Sequence, residues 1–290
     1  MGEFVSAMNG GVGLARPLDG DVLNRGRAIV ADAFRRTLHE LRDRENVTEI
    51  AFRDHWHRLV AESGEMTWDG WYSPPLMGMA VLFATAADPS RVHFRTFRDR
   101  ESFVSDRVLD PKDGIVLGYA SNVHRRTGMP GDFATTVYLG RDERVRDHFR
   151  RAAEASREVL ASIAPDMTAG RLHAEALAVL DRYGLRGTTH SDTDPDGDNV
   201  GHSLPRLSIG PLAGVLRPEQ IAALRGDRLF VRRGGDWRLD SVDQFTVEPQ
   251  VVAPDDPTLP KVMLHYVVSA KDGVVVCDAC EDSLRDLAIV

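Results

Sequence analysis

Apolar residues recur at three- and four-residue spacing in four stretches of the chain, and short apolar blocks run between them. The periodic stretches predict helices. "DVLNRGRAIVADAFRRTLHEL" (Asp21–Leu41) and "VTEIAFRDHWHRLVAESG" (Val47–Gly64) form one pair. "RDERVRDHFRRAAEASREVLASI" (Arg141–Ile163) and "MTAGRLHAEALAVLDRYG" (Met167–Gly184) form another. The second members share a length and a plan. In each, an apolar residue precedes a threonine, Thr48 or Thr168, whose hydroxyl can cap the first helical turn. Each ends on a glycine, Gly64 or Gly184, suited to the position just past a helix. Strand-like blocks follow both pairs: "GMAVLFA", "GIVLGYA" and "GDFATTVYLG" in the first half, and "DRLFV", "DQFTVEPQVV" and "KVMLHYVVSA" in the second. This recurrence predicts an α+β domain over residues 21–290, preceded by a short extension over 1–20. Its two similar halves, roughly 21–140 and 141–290, surround a shared antiparallel sheet. A cleft between such halves is a natural place for a site.

Composition narrows the partners. With 290 residues and 42% hydrophobic content the chain can bury a full core. A net charge of -8 argues against a nucleic-acid partner, and the interspersed signs describe a solvated surface. The longest apolar block, "LMGMAVLFATAA", is too short and too rich in small residues to span a bilayer. The N-terminus carries Glu3 and no basic flank, so it does not read as a secretory signal. "MGEFVS" fits the loose myristoylation pattern, which is short enough to match by chance. The expectation is a cytoplasmic protein acting on a small molecule, with neither membrane nor nucleic acid as partner. Cys277 and Cys280 form a lone CxxC near the C-terminus. That is half of a zinc ribbon without its second pair, and it reads as two reduced thiols.

The chemistry sits on polar residues inside apolar blocks. "DTDPDGDNVGHSLP" (192–205) imitates the first half of a calcium loop with Asp192, Asp194, Asp196 and Gly197. Its twelfth position is Ser203, where that loop needs a bidentate glutamate, so a polar surface turn is the better reading. His202 follows a glycine in the same stretch. Asp132 opens "DFATTVYLG", Glu248 precedes Pro249 in "FTVEP", and His265 interrupts "VMLHY". A buried carboxylate or imidazole is costly unless something pairs with it. Taken singly, each of these residues reads as a satisfied polar group of the core.

Taken together, "GDFATTVYLG", "VGHSLP" and "FTVEP" resemble the metal-binding motifs of the creatinase, methionine aminopeptidase and prolidase superfamily, whose fold is called pita-bread. The resemblance runs from about Leu23 to Asp278. It implies metal ligands at Asp132, His202 and Glu248. The family's first metal aspartate lies eleven residues before the second, at a position that here is Ser121. Its last, bridging glutamate falls on the strand where His265 is the nearest polar residue. The peptidases carry a further histidine seven residues past the ligand histidine, and here that position is Ile209.

These departures remove two anionic ligands from one of the family's two metals and leave four groups, Asp132, His202, Glu248 and His265, for the other. The implied cofactor is a single divalent ion. Iron, manganese, cobalt and zinc all suit two imidazoles and two carboxylates, with Fe(II) favoured for oxidative chemistry. His124 and His202 are the candidate catalytic groups. Trp71, Tyr72 and His93 are the candidate substrate contacts, and the "WYSPP" segment could serve as a lid. The expected activity is metal-dependent C–N hydrolysis of a small amino-acid-like or amide substrate, not general peptide cleavage. Three alternatives stay open: an iron-dependent oxidative enzyme of small-molecule biosynthesis, a conventional dinuclear aminopeptidase or Xaa-Pro dipeptidase, and a metal-free binding protein. Prolidase-like members with an additional N-terminal domain are usually dimers. This chain has no room for that domain before its first helix pair, so a homodimer and a monomer are both compatible with it.

Overall fold

The helix pairs form where the periodicity puts them. The computed structural model describes residues 21–190, 194, 198–207, 214–271, 273–277 and 279–290. Helix α1 spans Asp21–Leu41 and α2 spans Glu49–Glu62. The Thr48 hydroxyl accepts from the Ala51 N–H at the start of α2, and Gly64 follows its end at φ +67°. Strands β1 (Met66–Gly70), β2 (Met79–Thr85), β3 (Gly114–Ala120), β4 (Asn122–His124) and β5 (Phe133–Tyr138) come next. Then the plan recurs with α3 (Glu143–Ala161) and α4 (Ala169–Arg182). Thr168 accepts from the Arg171 N–H, and Gly184 stands at φ +64°. Both glycines adopt the left-handed conformation that ends a helix without a Cβ penalty. Each capping threonine also bridges to a later segment, Thr48 to Val108 and Thr168 to Arg238.

The described residues after α4 form short elements: β6 (Arg186–Gly187), β7 (Asn199–His202), α5 (Pro218–Gly226), β8 (Phe230–Arg232), β9 (Phe245–Val247), β10 (Gln250–Val252), β11 (Val262–Met263), β12 (Tyr266–Ser269), β13 (Val275–Cys277) and α6 (Asp282–Asp286). The most regular sheet is antiparallel, in the order β2-β3-β5, with Leu82 opposite Leu117 and Leu117 opposite Thr136. Helices α1 and α2 clamp onto it through Phe34, Trp56 and Phe133, whose ring centroids lie 5.0 to 6.1 Å apart. All three are fully buried, and each contributes roughly 1.5–3 kcal/mol by leaving water. The α+β class expected from the sequence is the one that forms.

Two apolar blocks that read as continuous strands are each broken, and the breaks face each other. "DQFTVEPQVV" splits into β9 and β10 at Glu248-Pro249, and "KVMLHYVVSA" splits into β11 and β12 at Leu264-His265. Pairing is antiparallel on both sides of the break, Val247 with Tyr266 and Gln250 with Met263. Pro249 has no N–H to continue a ladder, so the two chains change sheets together. Glu248 and His265 are left opposite one another at the change.

The N-terminal extension, Asp192, Asp196, Gly197 and Ile209 lie outside the described residues. Asp194 is buried, accepting from Asn199 at 3.0 Å and pairing with Arg232 at 3.1 Å. Cys277 is half-buried and Cys280 is buried. Among the described residues no helix is long and apolar enough to cross a membrane.

Candidate metal centre

Four separate elements bring the candidate ligands together. Asp132 lies in the turn that enters β5. His202 ends β7, and Glu248 and His265 stand at the paired strand breaks. The approach of β7 to β9 depends on Gly201 at φ +156°, where a Cβ would lie 2.0 Å from the Thr246 carbonyl oxygen. With glycine there, the His202 N–H reaches the Thr246 hydroxyl at 2.9 Å and the Glu248 N–H reaches the Val200 carbonyl at 2.8 Å.

The result is a ring of facing groups. His202 Nε2 is 3.4 Å from Glu248 Oε1 and 3.7 Å from Asp132 Oδ2. His265 Nε2 is 3.5 Å from Glu248 Oε2 and 3.8 Å from Asp132 Oδ2. Ligand atoms about 2.1 Å from a common ion lie roughly 3.4 Å apart in tetrahedral geometry. The Glu248 separations match that span, and the Asp132 separations exceed it by a few tenths of an ångström. The ring is therefore slightly open: among the described residues no group of three or more His, Cys, Asp or Glu is closed up as a metal cluster. Glu248 Oε1 accepts from the Thr246 hydroxyl at 3.2 Å, but other atoms of the donor set lack partners of their own. Both Asp132 carboxylate oxygens and His265 Nε2 are buried without a hydrogen bond. Buried polar atoms are rarely left so, and a cation beside Asp132 would satisfy both of its oxygens.

Burial dominates the electrostatics. It raises Asp132 to about 7, against the opposing pull of Arg228 and Arg27. Burial, and then the neighbouring Asp132 charge, raise Glu248 to about 8. Burial followed by Arg228 lowers His202 to about 3. His265 falls well below the usual imidazole range, through burial and then Arg27. Both imidazoles are neutral at physiological pH, which is the form that binds metals.

Their tautomers differ. His202 Nδ1 lies 2.8 Å from the Ser203 carbonyl oxygen. It must donate there, which leaves a lone pair on Nε2 aimed at the carboxylates. His265 Nδ1 lies 3.1 Å from Nη1 of Arg27, a buried residue of α1. A guanidinium can only donate, so His265 accepts at Nδ1 and carries its proton on Nε2. Arg27 also donates to the backbone carbonyls of Asp132 and His265, tying two sides of the ring to one helix.

Tyr119 occupies the flank next to Ser121. It lies in β3 opposite Ala134, with its hydroxyl in the neighbourhood of the Asp132 carboxylate and the Ser121 hydroxyl. Burial, and then Asp132, hold this phenol well above its ordinary range. Ser121 is held in turn by the Gly78 carbonyl at 3.1 Å and the Tyr72 N–H at 3.2 Å.

The family model for metallopeptidase family M24 matches residues 21–278. The chain belongs to family M24. Solved structures similar to this M24 chain include the prolidase from Pyrococcus horikoshii, at 14% identity and a TM-score of 0.60, covering 90% of this chain and 61% of that one. The Xaa-Pro dipeptidase from Bacillus anthracis shows 16% identity and a TM-score of 0.61, with coverage of 90% and 60%. A variant of aminopeptidase P from Escherichia coli shows 14% identity and a TM-score of 0.61, with coverage of 95% and 59%. These likenesses establish the pita-bread fold expected from the motifs. The chain spans about three-fifths of the length of these three structures. No curated protein matches it by sequence.

The other candidates of this M24 chain divide between the centre and its surroundings. Trp71 is buried with its ring centroid 6.0 Å from that of His202. Tyr72 is 5.6 Å from Tyr119 by the same measure, and its hydroxyl meets Thr96 at 3.0 Å. Both of His124's ring nitrogens are engaged away from the four, by Thr127 at 2.9 Å and Glu65 at 3.3 Å. His93 binds the Leu259 carbonyl at 3.0 Å. Sequence reasoning missed Arg27, Tyr119 and Arg228. Arg27 does leave a signal, since it shares a helix face with Val30, Ala31 and Phe34, all buried. Tyr119 stands two residues before Ser121, on the same side of an extended strand.

Proposed function

We propose that the chain is a metal-dependent hydrolase that holds one divalent ion through Asp132, His202 and Glu248 and cleaves a C–N bond in a small amino-acid-like or amide substrate. The observation that carries the reading is the convergence of these buried groups on one point, with the Asp132 oxygens unpartnered. A divalent ion bound there would polarise a carbonyl and lower the pKa of a water molecule.

His265 is the fourth group of the ring, and the Arg27 contact supports a different role for it from that of the other three. Its Nε2–H faces the Asp132 and Glu248 carboxylates at 3.8 and 3.5 Å, where it would orient them as partners of metal ligands do. Tyr119 supports the count of one ion. Its hydroxyl is near Asp132 and Ser121, on the side where the family places the other aspartate, and a phenol kept neutral by burial supplies no charge for a second cation. Ser121 and His265 in place of two carboxylates act in the same direction.

Three protein ligands would leave open positions, which supports the oxidative alternative ahead of the metal-free one. The protein loaded in turn with iron, manganese, cobalt or zinc should be assayed for amine release from small N-acyl amino acids and amides, with oxygen consumption followed in parallel. Amine release without oxygen uptake supports hydrolysis. Oxygen-dependent loss of substrate without amine release assigns the oxidative role. Ready turnover of ordinary dipeptides with two ions bound assigns the conventional peptidase.

A further inference from the structure

Lys261 is a buried cation in a neutral setting. It stands just before β11 and is only 5% exposed. Its ammonium donates to the Phe94 carbonyl, lies 3.4 Å from Oε1 of Gln250 and sits 4.6 Å from the ring centroid of Phe94. An ammonium has three N–H groups, and the third has no acceptor among the described residues. No carboxylate among them comes within ion-pair distance either, whereas Arg53, buried to a similar degree, is paired with Asp54 at 2.6 Å. Burial lowers Lys261 to about 8, and no anion acts against it.

Two paths join this ammonium to the centre. Along the chain, Lys261 precedes His265 by four residues and Gln250 follows Glu248 by two. Gln250 pairs with Met263, midway between Lys261 and His265. Thr189 fastens Gln250 to Glu248, donating to the Glu248 carbonyl at 3.2 Å and accepting from the Gln250 N–H at 3.0 Å. Through space, Phe94 stacks on Phe97 at 4.2 Å, and Phe97 stacks on Tyr119 at 4.8 Å between centroids. Three short steps therefore lead from Lys261 to Tyr119, the neighbour of Asp132. His93 is half-buried and close enough to feel the Lys261 charge, so solvent is one side chain away.

A ring face and two amide oxygens soften the cost of this charge without cancelling it. A methionine would fill the same space with no charge to bury. The ammonium is a standing cost to the fold, which an arriving anion would offset. One cation with one open N–H suits a single carboxylate.

We propose that Lys261 binds a carboxylate of the substrate, several bonds away from the reacting C–N bond. The inference rests on the proposed hydrolase centre for where the other end of the substrate lies, while the anion contact itself needs no metal. It narrows the substrate from any small amide to one that carries a free carboxylate.

The test is calorimetric titration of the full chain, stripped of metal by a chelator, with butyrate and with butyramide at pH 7. The two probes share a shape and differ in charge. Butyrate should bind at least about tenfold more tightly. Lys261→Met should abolish that preference, and Lys261→Arg should keep part of it. Lys261→Met should also melt no lower than the parent, because it removes an unpaired buried charge, whereas loss of a structural lysine would lower the melting temperature. Equal binding of the two probes, no binding of either, a preference that survives Lys261→Met, or a Lys261→Met protein that melts well below the parent overturns the proposal. The stripped protein holds no ion, so an error in the metal count leaves each of these results unchanged.

Discussion

Nη1 of Arg27 lies 3.1 Å from Nδ1 of His265, and because arginine cannot accept, this contact decides where the imidazole proton sits. It separates His265 from His202, whose Nδ1 donates to a carbonyl and whose Nε2 is free to bind an ion. His265→Gln, whose amide can also donate, should therefore keep the ion, with affinity falling by no more than about tenfold. His202→Gln should lose it. Equilibrium metal titration of the two variants checks this, and equal loss in both would make His265 a ligand.

The single ion is attributed to Ser121, His265 and the Tyr119 hydroxyl acting together. Restoring carboxylates and removing the phenol should reverse the count. The triple variant Tyr119→Phe, Ser121→Asp, His265→Glu should bind two ions per chain, and Tyr119→Phe alone should bind one. A triple variant that folds and still binds only one ion would show that another feature excludes the second.

Gly201 and Gly184 make a matched pair of glycine tests. At Gly184, with φ +64°, a Cβ would meet nothing within 4 Å, so Gly184→Ala should cost only the backbone strain, about 1 kcal/mol. At Gly201 a Cβ would meet the Thr246 carbonyl at 2.0 Å. Gly201→Ala should force β7 from β9, cost about 3 kcal/mol and weaken metal binding, because His202 moves with the strand. Urea denaturation beside metal titration distinguishes the two outcomes.

A pH test falls on His148, a fully buried residue of α3 whose Nε2 meets the Pro260 carbonyl at 2.9 Å. Burial lowers it to about 4, against about 6.5 in the unfolded chain. Between those values the unfolded state binds more protons, so stability is complete above pH 6.5 and falls as pH drops toward 4. His148→Gln retains a donor for Pro260 and removes the titration. Between pH 7 and pH 5 the parent should lose about 2 kcal/mol more than the variant. Equal losses would mean that His148 titrates normally in the folded protein.

Much of this was legible in the sequence, for local reasons. Helical periodicity, threonine caps and terminal glycines are short-range features, and α1 to α4 form within two residues of the stretches that carry them. Asp132, His202 and Glu248 stand in motifs with their own local surroundings, and they meet. The strand breaks at Glu248 and His265 were hidden because apolar runs look alike whether or not the chain changes sheets, with Pro249 the sole hint. Arg27 and Tyr119 reach the centre from more than a hundred and from thirteen residues before Asp132 and its partner His265, and only packing shows where their side chains end. The tautomer of His265 depends on that packing entirely.

The measurement that tests the central claim most directly is metal content per chain by mass spectrometry, on protein purified without oxygen, beside Asp132→Ala. One ion per chain, lost in the variant with the fold intact by circular dichroism, is the predicted result. Two ions per chain, or one ion retained in Asp132→Ala, would contradict a mononuclear centre built on Asp132, His202 and Glu248.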